Sequence, residues 1–271
     1  MAEQKTRFLV FDTESVADGA LLARLVFPEE SLTPVEAIER YRAELLEKYD
    51  NDFVPYTFQI PIAAVVGKVA ADLRLLDVVA LDEAQNRPHI IAEHFWRGWE
   101  RYQRPTLVSF NGRSFDLPLM ELAAFRYGIS VPGWFNTGAK SFEQSRNRYN
   151  LEAHLDLQEI LTNFGCTRFT GGLNLAANLI GKPGKGDVHG SMVQGMYDAG
   201  RIREIVDYCR CDVLDTYFVF LRTRVMFGDI TLEREQELVA ETKSWLSGKI
   251  KDVPTYRQYL DRWGSWPNPW S

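Results

Sequence analysis

The stretch Phe8-Leu-Val-Phe-Asp-Thr-Glu-Ser15 constrains this chain more than any other. Its apolar run offers a hydrophobic side chain to both faces of a β-strand, which suits a central strand covered on both sides. Side chains alternate along a strand, so Asp12 and Glu14 emerge on the same face. Two carboxylates that close repel each other unless a cation lies between them, and the strand therefore predicts divalent metal at its end.

The rest of the chain can be laid around that strand. Residues 18–55 read as a helical insertion: Thr33-Pro34-Val35-Glu36 is a capping-box signature, and Val35, Ile38, Tyr41 and Leu45 recur at helical spacing. Residues 60–70 and 74–79 read as two strands that complete an antiparallel meander with the first. A helix over 87–103, a short buried strand over 106–110 and a helix over 117–127 follow. The loop 128–149 presents Trp134 and Phe135, read as exposed, among Lys140, Arg146 and Arg148, a composition that can stack bases and hold phosphates. Short helical pieces are expected over 153–163 and 174–180, then a basic Gly/Lys loop over 181–187 whose Lys182 and Lys185 could meet a phosphate backbone. The longest helix spans 202–222, with Ile202, Ile205, Cys209, Val213, Thr216 and Phe220 as its buried stripe, and a further helix spans 232–246. A Trp- and Pro-rich end, from Trp263, is expected to pack back or to meet a protein partner. With no internal repeat and no dividing linker, residues 1–271 read as a single domain carrying the insertion and a C-terminal helical extension over about 228–271.

Composition narrows the class. The chain is 45% hydrophobic and 25% charged, with no apolar run of the roughly 18 residues a membrane span needs. The first residues have no apolar signal region, so a cytoplasmic location is expected by default. Cys166, Cys209 and Cys211 form neither a disulfide framework nor a zinc knuckle and read as reduced, structural thiols. The formal charge of −6 runs against a nucleic-acid partner, but carboxylates gathered around metal would be locally neutralised.

Two later stretches also place carboxylates where structure alone would not want them. Ser109-Phe-Asn-Gly-Arg-Ser-Phe-Asp116-Leu-Pro puts Asp116 directly after a buried strand, where a helix cap is the plainer alternative. Asp207-Tyr208-Cys-Arg-Cys-Asp212 sets Tyr208 and Asp212 four residues apart on one helical face, against the sheet. A buried carboxylate is normally paired or metal-bound.

In this order the motifs resemble the DEDD superfamily of 3′-to-5′ exonucleases, in the branch with a tyrosine in its third motif. More closely, the sequence is similar to the predicted exonucleases related to the proofreading domain of family-B DNA polymerases. The resemblance rests on Phe11-Asp-Thr-Glu-Ser15, on residues 109–118, on His154-Leu-Asp-Leu157, and on the run from Gly190 through Tyr208 and Asp212 to Arg222. It implies an α/β, ribonuclease-H-like mixed five-stranded sheet, three antiparallel strands then parallel ones, with helices on both faces. It implies Asp12, Glu14, Asp116 and Asp212 as ligands of two divalent metal ions, Mg²⁺ or Mn²⁺, with Tyr208 beside the attacking water. Thr13, Asn111 and Phe115 would line the approach of a single-stranded nucleic acid, DNA favoured over RNA. Asp156 matches a further acid, either catalytic or a structural hydrogen-bond acceptor. An exoribonuclease of the same fold and a non-catalytic nucleic-acid-binding module stay open as alternatives.

Overall fold

Strand β1 (Thr6–Ala17) lies at the centre of the sheet. On one side it pairs antiparallel with β2 (Gln59–Ala70), which pairs antiparallel with β3 (Leu75–Ala80). On the other it pairs in parallel with β4 (Thr106–Ser109), and β4 with β5 (His154–Asp156), giving the order β3-β2-β1-β4-β5. The structure, a computed structural model, describes residues 5–83, 85–184, 186 and 189–270. This is the mixed ribonuclease-H-like α/β sheet that the motifs imply.

Alternation along β1 divides the core. Leu9 and Phe11 face α3 (Pro88–Arg101) and α4 (Asp116–Tyr127), which follow β3 and β4, together with Trp96, Trp99 and Met120. Val10 faces the opposite layer, with Cys209, Val213 and Tyr217 of the long helix Ile202–Met226. Before that helix, α1 (Gly19–Leu25) and α2 (Pro34–Tyr49) form the insertion, and α5 (Leu157–Leu161), α6 (Gly172–Leu179) and α7 (Val193–Asp198) lead up to it. It is therefore α8, and α9 (Leu232–Lys249) and α10 (Thr255–Asp261) follow it. Gly67 of β2 lies under α8, where a Cβ would come within 3.2 Å of Val213 Cγ1, so glycine lets the helix sit close to the sheet.

Several expectations hold in detail. Thr33 caps α2 through a reciprocal capping box with Glu36, and Asp50 closes the helix in the left-handed region. Others are corrected. Residues 154–156 are a strand rather than helix, held by parallel pairing to β4 that no local pattern announces. Instead of one buried stripe, α8 buries almost its whole circumference, because α9 and α10 cover the side turned away from the sheet. Trp134 is 1% exposed, wedged against Trp96 and Trp99 with its indole N–H donating to Glu121 at 2.6 Å. In the same loop Arg146 is clamped on Glu121 and Arg148 on Glu159, so these guanidiniums are already neutralised.

Among the described residues, no helix is long and apolar enough to cross a membrane. The C-terminal tail folds back. Trp263 packs on Phe218 and Tyr259, and Trp266 lies over the Arg222 guanidinium, while Trp270 is 84% exposed.

Candidate active site

The parallel ladder between β1 and β4 stops at Val10 and Val108, while β1 continues to Ala17. Past that point the edge of β1 no longer faces a strand, and the loop leaving β4 fills the space. Its Asp116, the first residue of α4, takes the place of a strand partner. Asp116 Oδ1 accepts from the Thr13 backbone N–H at 3.0 Å and from the Thr13 hydroxyl at 2.5 Å. Such a site, outside the carboxyl ends of parallel strands, is where open α/β sheets place their ligands.

Asp12 and Glu14 point from β1 toward α8, on the face opposite Thr13. There α8 delivers Tyr208, Cys209 and Asp212. Carboxylate oxygens of Asp12 and Glu14 and the Cys209 sulfur lie within 4.8 Å of one another. The Tyr208 hydroxyl donates to the Asp212 carboxylate. Glu14, Asp116, Tyr208 and Asp212 are buried and Asp12 is half-buried.

The electrostatics are those of crowded anions. The Asp12 carboxyl is held well above the usual range, first by burial and then by repulsion from Asp116, Glu14 and Asp212. Burial also pushes Asp116 up to about 6, against the pull of its Thr13 hydrogen bonds. The Tyr208 phenol is shifted far upward by burial and by Asp212, Glu14 and Asp12, and stays protonated. A divalent cation relieves this crowding, and an all-carboxylate donor set suits hard ions such as Mg²⁺ or Mn²⁺. The buried acidic group could therefore hold a metal ion.

A cavity of about 400 Å³ opens beside the carboxylates, bounded by Asp12, Asp212, Phe110, Asn111, Gln158 and Asn174, with His189 and the Gly171–Gly172 backbone completing it. Asn111, expected against the substrate, is on its wall, held at φ 65° with its Oδ1 accepting from Gln158. Phe115 sits half-buried directly before Asp116.

Two expected contacts take other places. Thr13 is buried, with both its donors engaged by Asp116, so it positions a carboxylate rather than offering itself to substrate. Lys182 is 6% exposed; its ammonium donates to Ile180 O and lies over the Phe218 and Trp263 rings, and burial lowers its pKa to about 8. It is a core cation, not a surface contact for phosphate. Lys185 lies outside the described residues.

Asp156 is engaged by the backbone through both of its carboxylate oxygens. Its Oδ1 accepts the N–H groups of Asn111, Gln158 and Glu159, and its Oδ2 that of Arg113. It thus caps α5 and ties down the loop that carries Asp116. The residue that sequence reasoning missed is Cys209. Its thiol donates toward the Asp12 backbone carbonyl at 3.3 Å and carboxylate at 3.4 Å, and burial beside that anion keeps it protonated. Its position next to Tyr208 and three residues before Asp212 was the available signal.

A comparison with curated proteins finds no match. A comparison with protein families matches residues 51–263 to predicted 3′-5′ exonucleases related to the exonuclease domain of PolB. The matched stretch contains Asp116, Tyr208 and Asp212, and the fold brings Asp12 and Glu14 to them from outside it. With 213 of its 271 residues matched (51 to 263 inclusive) and this sheet beneath them, the chain belongs to that family of predicted 3′-5′ exonucleases.

Proposed function

We propose that this protein is a metal-dependent 3′-to-5′ exonuclease that acts on single-stranded DNA or 3′ overhangs and releases nucleoside 5′-monophosphates. The observation that carries the reading is the convergence of Asp12, Glu14, Asp116 and Asp212 from β1, α4 and α8, with Tyr208 hydrogen-bonded to Asp212.

Asp12, Glu14, Asp116 and Asp212 would hold two divalent ions, which supply a water of lowered pKa and neutralise charge on the scissile phosphate. The chain's own residues do the positioning. Tyr208 is no general base, because its surroundings raise an already high pKa. With its proton engaged by Asp212, its oxygen can still accept from the attacking water and aim that water's lone pair at phosphorus. Thr13 fixes the Asp116 oxygen, and Asp156 fixes the loop that bears it. The cavity walled by Asn111, Gln158 and Asn174 offers carboxamides suited to a sugar or base of the terminal nucleotide. A terminal nucleotide must leave its stack to enter, which favours single strands. The shared core of α8, α9 and α10 supports reading the whole chain as one exonuclease unit.

The test incubates the protein with 5′-labelled single-stranded DNA and RNA of matched sequence in Mg²⁺, Mn²⁺ or EDTA. A ladder shortening from the 3′ end, present with metal and absent in Asp12→Ala, is expected, with DNA the faster substrate. An equal ladder in EDTA or in the variant overturns the mechanism.

A further inference from the structure

Phe53, in the segment that returns from α2 to β2, is 55% exposed, yet its backbone is fixed from several sides. The Phe53 N–H donates to Asn51 Oδ1 at 3.0 Å. Next to it Asp52 is held by the Arg42 guanidinium of α2, with Nε at 2.9 Å. On the other side Val54 is buried and its carbonyl accepts from the Gln59 amide, whose oxygen in turn accepts from the hydroxyl of Ser15. Ser15 directly follows Glu14. The Phe53 ring meets Phe115, with centroids 5.7 Å apart and planes at 54°, and Phe115 directly precedes Asp116. The segment thus spans the two stretches that carry three of the four carboxylates, and it holds a ring half in water at their margin.

We infer that Phe53, set against the Phe115 that the resemblance already places on the substrate approach, extends that approach into a stacking platform for a nucleobase of the single strand, upstream of the scissile phosphate, and that the helical insertion serves to grip substrate. The inference rests on the exonuclease reading above. An aromatic face accepts any base, because every base has a π-face, and it suits an enzyme that must advance along a strand whatever its sequence. A ring carried on a backbone already held by hydrogen bonds, and resting against Phe115, has less conformational freedom to lose on binding. The loop aromatics after α4 are less suited: Phe135 is covered by the Arg146 guanidinium at 4.9 Å, and Tyr149 is paired with Phe164.

The experiment measures KM and kcat in Mg²⁺ on dT12 and on dT12 carrying one abasic site, moved stepwise through the four nucleotides nearest the 3′ end. Phe53→Ala raises KM on dT12 by about tenfold, the scale of one lost base stack, with kcat within about twofold. Wild type shows a similar penalty at one abasic position, and Phe53→Ala is insensitive to that same position, a coupling that a merely structural role does not produce. Phe125→Ala, at another exposed ring on α4, changes neither constant. Unchanged KM in Phe53→Ala, or an equal loss on every substrate, overturns the platform while leaving the exonuclease intact. If wild type cleaves nothing, the exonuclease reading falls, and Phe53→Trp tests the platform alone. Quenching of the added indole by dT12, relative to wild type, supports a base-stacking surface, and no quenching removes it.

Discussion

Asp116 Oδ1 accepts two hydrogen bonds from Thr13, one from the backbone N–H at 3.0 Å and one from the hydroxyl at 2.5 Å, across a sequence separation of 103 residues. Together they tie the start of α4 to the unpaired edge of β1 and set where the carboxylate points. Thr13→Val removes the hydroxyl and keeps shape and backbone bond. Loss of a hydrogen bond to a charged group is worth about 1.5–3 kcal/mol, so activity should fall by about tenfold to a hundredfold. Thr13→Ser should restore most of it. Initial rates at saturating Mg²⁺ decide, and a Thr13→Val enzyme as active as wild type removes the positioning role.

The crowding around Asp12 makes the metal-free site a source of strain. Asp12→Asn removes one of four mutually repelling carboxylates and abolishes activity, yet in EDTA it should stabilise the fold by about 1–2 kcal/mol, a rise of a few degrees in Tm. Mg²⁺ or Mn²⁺ should raise the Tm of wild type and leave Asp12→Asn nearly unmoved, because ligands stabilise only the state that binds them. Thermal melts with and without EDTA read both effects, and a destabilised variant in EDTA would contradict the electrostatic account.

What the sequence made legible is what alternation and helical spacing can carry. A run apolar on both faces placed β1 at the sheet centre, and period two put Asp12 and Glu14 together. Four-residue spacing did the same for Tyr208 and Asp212. Illegible features depend on partners far along the chain. Gly181-Lys182-Pro183 has every local mark of an exposed turn, but Gly181 lies against the backbone of Ser265 and Trp266, and Trp263 covers Lys182. Trp134 belongs to a pocket made by Trp96 and Trp99 of α3. Strand β5, three residues long, exists because β4 offers an edge.

Tyr208 separates orientation from proton transfer. Tyr208→Phe keeps the ring and loses the hydroxyl that bonds Asp212, so kcat should fall by about ten- to a hundredfold with KM nearly constant. Because burial and the carboxylates hold the phenol protonated, its ionisation contributes no limb between about pH 6 and 9. The pH–rate profiles of wild type and variant should therefore have the same shape, offset vertically. A limb present only in wild type would make Tyr208 the base.

Asp156 should behave unlike the four site carboxylates. Four backbone N–H groups converge on it, and Asp156→Ala leaves them without their acceptor in a half-buried loop. The expected cost is about 2–4 kcal/mol of stability, seen as a lower urea midpoint, with activity lost through disorder of the 110–115 segment. Asp116→Asn, in contrast, should lose activity without lowering the midpoint. If Asp156→Ala unfolds as wild type does, the structural assignment is wrong.

Asp215 gives the fold a pH dependence of its own. It is fully buried on α8, with Oδ1 accepting from the Tyr259 hydroxyl of α10 at 2.7 Å. Burial pushes its pKa up to about 7, with Asp212 adding repulsion and the Tyr259 bond pulling the other way. In the unfolded chain the value returns to about 3.9. Between about pH 4 and pH 7 the native state thus holds a proton that the unfolded state has lost, so this contribution is complete below pH 4 and is lost as pH rises through 7. The slope is at most about 1.4 kcal/mol per pH unit. Asp215→Asn keeps the acceptor for Tyr259 and has no proton to lose. Urea midpoints taken in EDTA at pH 5 and pH 8 should converge for the variant relative to wild type, with the variant the more stable at pH 8. Parallel shifts in the two proteins would mean that Asp215 ionises no differently in the native state than in the unfolded chain.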